Sequence, residues 1–261
     1  MELKDKKYFY FTQNSLSTFV NCPYRFKKKY IDNVKWQQDE SDEAQEKVDF
    51  GLDFHKLAER YFKGIPVYEE SFKDNEELYN AYINLKEEFK IDENNQYYPE
   101  YTIRFSDGFM RLEANIDLII IKKNGNVEIF DWKTNAILAN AKKYITSLQT
   151  AVYMFVLKKC MKDIFQVDVE CDNIKMVYFS PERKTKIAEI TYSEEMFKGD
   201  EKKIGDLINK VYNYDYSSFD KEEFSKQCKY CEFINFCNSE ISDEIVDFKN
   251  WNFDDIEEVV I

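Results

Sequence analysis

Read along the chain, the spacing of apolar positions changes period four times. Leu16, Phe19, Val20, Pro23 and Phe26 recur at helical spacing, which predicts a first helix over about Ser15 to Ile31 with Ser15 as its cap and Pro23 as a kink or interruption. Leu52, His55, Leu57/Ala58 and Phe62 predict a second helix over about Val48 to Lys63, and a third covers about Glu70 to Phe89. The period then becomes two. Glu100 to Phe105, Met110 to Lys122 and Val127 to Lys133 alternate like strands, and Asn124-Gly125 marks a hairpin turn. A helix over about Ser147 to Cys160, strands over Ile174 to Ser180 and Lys186 to Thr191, and a helix over about Ser193 to Tyr212 complete the pattern. This order predicts an α/β fold in which helices flank a central mixed sheet.

The strands carry the first candidate chemistry. In Leu112 to Leu118 the even positions are apolar and the odd ones are Glu113, Asn115 and Asp117, which therefore share a face. Asp131 and Lys133 share a face of the next strand, with Phe130 and Trp132 opposite. Whether the two acids meet depends on the turn. A two-residue loop sets Asp117 against Trp132. A three-residue loop, Lys123-Asn124-Gly125, pairs Lys122 with Asn126 and sets Asp117 against Asp131, with glycine at the left-handed position such loops need. The three-residue loop is the expectation. Two carboxylates opposed at roughly 5 Å between Cβ atoms repel, so the pair asks for a cation. Oxygen ligands suit Mg²⁺ or Mn²⁺, and a lysine beside such an ion offers charge to a phosphate or an attacking water. A plain solvent-facing strand with one salt bridge is the competing reading. Gln149 and Tyr153 lie one turn apart on a common helix face. By themselves they read as a polar stripe, and His55 by itself reads as a core histidine.

Composition narrows the field. The 261 residues are 44% hydrophobic, enough for a core, with only 6 Gly and 4 Pro, so collagen-like and wholly disordered chains are excluded. No apolar run is long enough to span a bilayer. The start, MELKDKKYFYF, lacks a signal-peptide pattern. The expectation is a cytoplasmic protein with no membrane partner. A single histidine excludes chemistry that needs two, such as the HExxH zinc proteases.

The net charge of −13 argues against a non-specific nucleic-acid coat. The charge is uneven, however. The last 21 residues, Ile241 to Ile261, hold seven acids and one lysine, and Gln37 to Asp49 is an acidic stretch read as a loop. Arg25 with Lys27, Lys28 and Lys29 forms a basic cluster.

The cysteines carry a second candidate site. Cys228-x2-Cys231-x5-Cys237 places three thiolates within ten residues, one short of a closed tetrahedral set. A distant cysteine must supply the fourth. A lone distant cysteine with a terminal cluster suits an iron–sulfur cluster better than zinc, with zinc and unliganded thiols as the alternatives.

Taken together, these pieces resemble the RecB-like branch of the PD-(D/E)XK nuclease superfamily, closest to Cas-four-type CRISPR-associated exonucleases and the AddB-type nuclease domain. Ser15-Leu-Ser-Thr-Phe-Val-Asn-Cys22-Pro23-Tyr-Arg-Phe resembles that family's first-helix motif, and Gly51-Leu-Asp-Phe-His55 its histidine motif. Asn115-Ile-Asp117 resembles its first acidic motif, with Ala114 where the glycine three residues before the acid is often found. Asp131-Trp-Lys133-Thr134 resembles its DxK motif, Gln149-x3-Tyr153 the motif on the following helix, and the three clustered cysteines with Cys22 its iron–sulfur staple.

The resemblance implies a restriction-endonuclease-like core in one domain, residues 1–240, with a helical part at about 14–95, a catalytic core at about 99–215, a cysteine cluster at 227–238 and an acidic tail at 241–261. It implies that His55, Asp117, Asp131 and the carbonyl of Trp132 hold Mg²⁺ or Mn²⁺, and that Lys133 activates water and neutralises the scissile phosphate. Gln149 and Tyr153 would position the strand and support Lys133. Glu100 would be an outer-shell or DNA-contacting acid, Arg25 and Lys28 would contact DNA, and Cys22, Cys228, Cys231 and Cys237 would hold a 4Fe-4S cluster. The implied activity is metal-dependent hydrolysis of DNA, on single-stranded ends or overhangs and as an exonuclease rather than an endonuclease, in CRISPR adaptation or recombinational repair beside a helicase or CRISPR adaptation proteins. The rival expectation is a non-catalytic iron–sulfur DNA-binding or scaffold subunit of such a complex.

Overall fold

The computed structural model describes residues 9–35, 42–134, 141–217, 219, 228 and 231–237. The acidic tail at 241–261 and the first part of the acidic stretch, 37–41, lie outside these residues.

Thr12 starts the first helix. Its side chain accepts from Ser15 N–H at 3.1 Å and Ser15 Oγ accepts from Thr12 N–H at 2.9 Å, a reciprocal capping box. Ser15 is thus the third helical residue rather than the cap. Helix α1 (Gln13–Asn21) ends at Cys22, which is extended, and Pro23 opens a short helix α2 (Pro23–Phe26) that runs into a π-helical turn over Lys27–Ile31. Proline at a first helical position sacrifices no hydrogen bond, so the expected interruption becomes a clean restart.

Helix α3 (Asp42–Phe62) begins six residues before the expected Val48, so Asp42 to Asp49 is helical rather than looped. Glu46, Lys47 and Asp49 face solvent, and polarity there reflects an exposed helix face. Helix α4 (Glu76–Glu88) starts at the Asn75 cap, later than the expected Glu70.

Strands β1 (Gln96–Ser106), β2 (Arg111–Ile121), β3 (Val127–Trp132), β4 (Ile174–Ser180) and β5 (Thr185–Thr191) form one sheet in sequential order. Only β3 and β4 pair in parallel. The crossover between them holds α5 (Ala141–Ile145), which the periodicity did not reveal, and α6 (Leu148–Phe165), capped by Ser147. Ser193 caps α7 (Glu194–Asn213), and α8 (Ile234–Cys237) closes the described chain.

Two cores sandwich the sheet. One holds Leu16, Phe19, Val152, Phe155 and Ile208 of α1, α6 and α7. The other, on the opposite face, packs Phe54, Phe62 and Leu85 of α3 and α4 against Phe130, Trp132 and Phe179. No helix of the described residues is long and apolar enough to cross a membrane.

Candidate active site

The β2–β3 turn sets the register. Lys122 N–H donates to Asn126 at 2.8 Å, Gly125 N–H donates to Lys122 at 2.9 Å, and Gly125 takes φ of +85°. This is the three-residue loop, with glycine in the left-handed region where a side chain is strained. The ladder then pairs Ile121 with Val127 and Leu118 with Phe130, which carries Asp117 to the level of Asp131. There Asp117 Oδ2 accepts the N–H of Trp132 at 2.7 Å.

A second device lies on the other side of β2. In the outer half of the hairpin, Leu112, Ala114 and Ile116 face the α6 core, with Ile103, Tyr101 and Phe105 of β1 beside them. Beyond Asp117 the parity reverses. Ile119, Ile121 and Tyr98 now face the α6 core, while Leu118, Ile120 and Tyr97 face the α3 core. The alternation expected to run unbroken from Leu112 to Leu118 therefore stops at Asp117. The turning point is Glu100, whose φ of +48° is a left-handed conformation unusual for a residue other than glycine, in the middle of a strand. The register on either side, Pro99 with Leu118 and Tyr101 with Ile116, sets Glu100 opposite Asp117. The face reversal thus falls at the level of two acids, where groups from both layers can reach them.

From the α3 layer comes His55. Its Nδ1 donates to Glu100 Oε1 at 2.8 Å and lies 3.7 Å from Asp117 Oδ1. His55, Glu100 and Asp117 each offer one ligand atom, and the three atoms lie within 4.8 Å of one another. Gly51, one turn earlier on α3, lets the helix approach the end of β3, since a Cβ there would sit 3.1 Å from Thr134 Oγ1.

From the α6 layer comes Gln149. Its amide nitrogen donates to Asp131 Oδ1 at 2.5 Å, and its oxygen accepts from Lys133 Nζ at 2.9 Å. Lys133 Nζ is also 2.9 Å from Asp131 Oδ2. Tyr153 is buried one turn further along α6, near enough to feel the charges of Asp131, Asp117 and Glu100.

The electrostatics are those of crowded acids. Burial and the Asp131 charge raise the Asp117 carboxyl well above the usual range, against the pull of His55. Burial opposes charge on His55, but the Glu100 hydrogen bond and the charges of Asp117, Glu100 and Asp131 overcome it and hold the imidazolium up to about 9. Burial, then Asp131, pushes the Tyr153 phenol up. Asp131, although buried, has an Oδ2 with no well-aligned hydrogen bond.

This donor set fits a hard divalent cation. Oxygen and imidazole ligands converge, and the burial and Asp131 charge that raise the Asp117 carboxyl are penalties a cation would offset. Glu100, expected at the margin, stands inside the group, while Asp131 is held from the α6 side. A signal for Glu100 existed: it follows Pro99 in a strand whose alternation breaks there.

The other expected residues lie apart from this centre. Arg25 pairs with Glu232 at 2.7 Å, and Lys27 and Lys28 both pair with Asp32, at 2.7 and 3.2 Å, so much of the basic cluster is compensated within the chain. Cys22 is buried between α1 and α2, and Cys228, Cys231 and Cys237 are half-buried. Burial raises the Cys22 thiol, and Cys237 and Cys228 raise it further, while burial pushes Cys231 up to about 11 with Cys22 among the lesser contributors. The four sulfurs therefore share a neighbourhood. Cys160 and Cys171 sit in the α6 core.

The sequence model of the PD-(D/E)XK nuclease superfamily matches residues 10–238. Two solved structures are similar in fold. One is SSO0001, at 16% identity over 91% of this chain and 89% of that one, with a TM-score of 0.39. The other is a candidate exonuclease from Eubacterium rectale, at 13% identity over 82% of this chain and 87% of that one, with a TM-score of 0.45. No curated protein matches the chain.

Proposed function

Because the chain belongs to the PD-(D/E)XK nuclease superfamily, we propose that it is a divalent-metal-dependent deoxyribonuclease of the RecB-like branch, acting as an exonuclease on single-stranded ends or overhangs. The observation that carries this reading is the meeting of His55, Glu100 and Asp117 beside the Asp131–Gln149–Lys133 chain. His55, Asp117, Asp131 and the Trp132 carbonyl would hold Mg²⁺ or Mn²⁺, with Glu100 at hand as a further oxygen donor. Such an ion supplies Lewis-acid charge to phosphate oxygens and lowers the pKa of a bound water.

The residues of the chain do the rest. Lys133, held between Asp131 and Gln149, presents its ammonium where negative charge builds on the scissile phosphate. Gln149 joins the acid and the amine, so that neither can turn away alone. Tyr153 stays protonated across the working pH range and is available as a donor. An acidic protein can act on a polyanion in this way because local cations, not net charge, meet the phosphate.

Cys22, Cys228, Cys231 and Cys237 are assigned to a structural 4Fe-4S cluster, and their shared neighbourhood and the Arg25–Glu232 pair beside them support this. Closing a loop of about 200 residues, such a cross-link constrains the unfolded chain. Work beside a helicase or CRISPR adaptation proteins is part of the same proposal.

The test is cleavage of end-labelled single strands by anaerobically purified protein with Mg²⁺ or Mn²⁺. Asp131→Ala and Lys133→Ala should each abolish cleavage and leave the cluster's visible absorption intact. Binding without cleavage by the wild type under every metal would favour the scaffold reading.

A further inference from the structure

Lys133 has a third support, which the motif residues do not supply. Its Nζ lies 5.3 Å from the ring centroid of Tyr178 and 5.9 Å from that of Tyr144. The two rings are tilted together with centroids 4.4 Å apart, and both are buried. Tyr178 is the parallel-register neighbour of Asp131 on β4, on the same sheet face, and Lys133 N–H donates to the next residue, Phe179, at 2.9 Å. The ring is therefore placed by the strand pairing that also places the acid and the amine.

The hydroxyl end of Tyr178 is tied as well. Thr150 Oγ1 donates to the Tyr144 carbonyl at 2.6 Å, so the contact at 2.8 Å between Tyr178 Oη and Thr150 Oγ1 is donated by the tyrosine. Ser147 Oγ, the cap of α6, lies 3.4 Å away. Thr150 follows Gln149, whose oxygen accepts from Lys133. One helix turn thus grips the lysine twice, directly through an amide and indirectly through an aromatic face. A ring face attracts an ammonium without accepting one of its N–H hydrogens.

We infer that Tyr178 is a positioning residue for Lys133: its ring, pinned by Thr150 and seconded by Tyr144, aims the ammonium at the scissile phosphate and leaves its hydrogens for oxygen acceptors. This rests on the nuclease reading and adds to it a residue on β4 that does not touch substrate.

The experiment compares Tyr178→Phe and Tyr178→Leu in steady-state cleavage of a labelled single strand, with Mn²⁺ affinity measured by calorimetry on the same samples. The leucine variant should lower kcat roughly 10- to 100-fold, as displacement of a catalytic group by about 1 Å does, with KM and Mn²⁺ affinity within about twofold. The phenylalanine variant keeps the ring and should recover most of kcat. If the leucine variant does not fold, Tyr144→Leu is read in the same way.

An unchanged kcat, a phenylalanine variant as impaired as the leucine one, or a loss of Mn²⁺ affinity parallel to kcat would overturn the proposal while wild-type cleavage keeps the nuclease reading standing. A wild type that never cleaves would bring down both.

Discussion

Asp117→Asn separates a carboxylate kept for function from one kept for stability. At a cross-strand separation of roughly 5 Å and an effective dielectric of about 20, Asp117 and Asp131 repel by about 3 kcal/mol. The 3.7 Å approach of His55 returns about 4 kcal/mol of attraction on the same scale. Desolvating a buried carboxylate costs several kcal/mol more, so the balance falls against the charged form, in line with the raised Asp117 carboxyl. Asparagine removes the repulsion and the desolvation, and its amide oxygen can still accept the Trp132 N–H. His55 retains Glu100.

The metal-free variant should therefore be more stable than wild type at pH 8, by about 1–3 kcal/mol, or about 3–9 °C in Tm for a chain of this size. Asp117→Ala should gain little, because an orphaned Trp132 N–H costs about 1–3 kcal/mol. The assay is thermal unfolding in chelator, repeated with Mn²⁺ at 100 times the wild-type Kd. There the wild type should gain about 2.7 kcal/mol and Asp117→Asn almost nothing, while its cleavage is lost. An asparagine variant less stable than wild type in chelator, or one that gains as much from Mn²⁺, would refute the reasoning.

Other outcomes follow from the same geometry. His55 is raised from an ordinary value near 6.5 to about 9 in the fold, so its contribution to the metal-free protein is complete below about pH 6.5 and lost as pH rises through 9. The raised Asp117 acts in the same direction. Tm in chelator should accordingly fall between pH 6 and 9.5, and His55→Asn should flatten the slope. Mn²⁺ affinity by calorimetry should rise over that range, as both protons leave the site.

Gly51→Ala gains roughly 0.5–1 kcal/mol of helix propensity but sets a methyl 3.1 Å from Thr134 Oγ1. Its Tm should stay within about 2 °C of wild type, while kcat falls about 3- to 10-fold because α3 carries His55. Adding Thr134→Ala should restore kcat. Cys22→Ser should bleach the visible absorption of anaerobically purified protein and lower its Tm, leaving residual cleavage at low temperature.

Much of the fold and of the site was legible in the sequence, wherever the information was local. Ser147 and Ser193 cap helices at the expected places because a cap reads only the next three residues. Strand β4 matches its apolar run, Ile174 to Ser180, because a strand buried on both faces needs little beyond that run. That Asp117 stands opposite Asp131 follows from the loop length and one glycine, since a hairpin of known loop length has a single register.

Tertiary structure decided what depends on distant partners. The left-handed turn at Glu100 reverses two strands at once and answers to His55, 45 residues earlier. The pairing of Arg25 with Glu232 withdrew charge that the sequence displays as part of a basic cluster. The ring of Tyr178 beneath Lys133 exists only because β4 lies parallel to β3 after a helical crossover. Period and turn chemistry are set by neighbours a few bonds away, so they can be read along the chain. The gathering of charges from both faces of a sheet is set by which layers pack together, and that is fixed only when the two cores close.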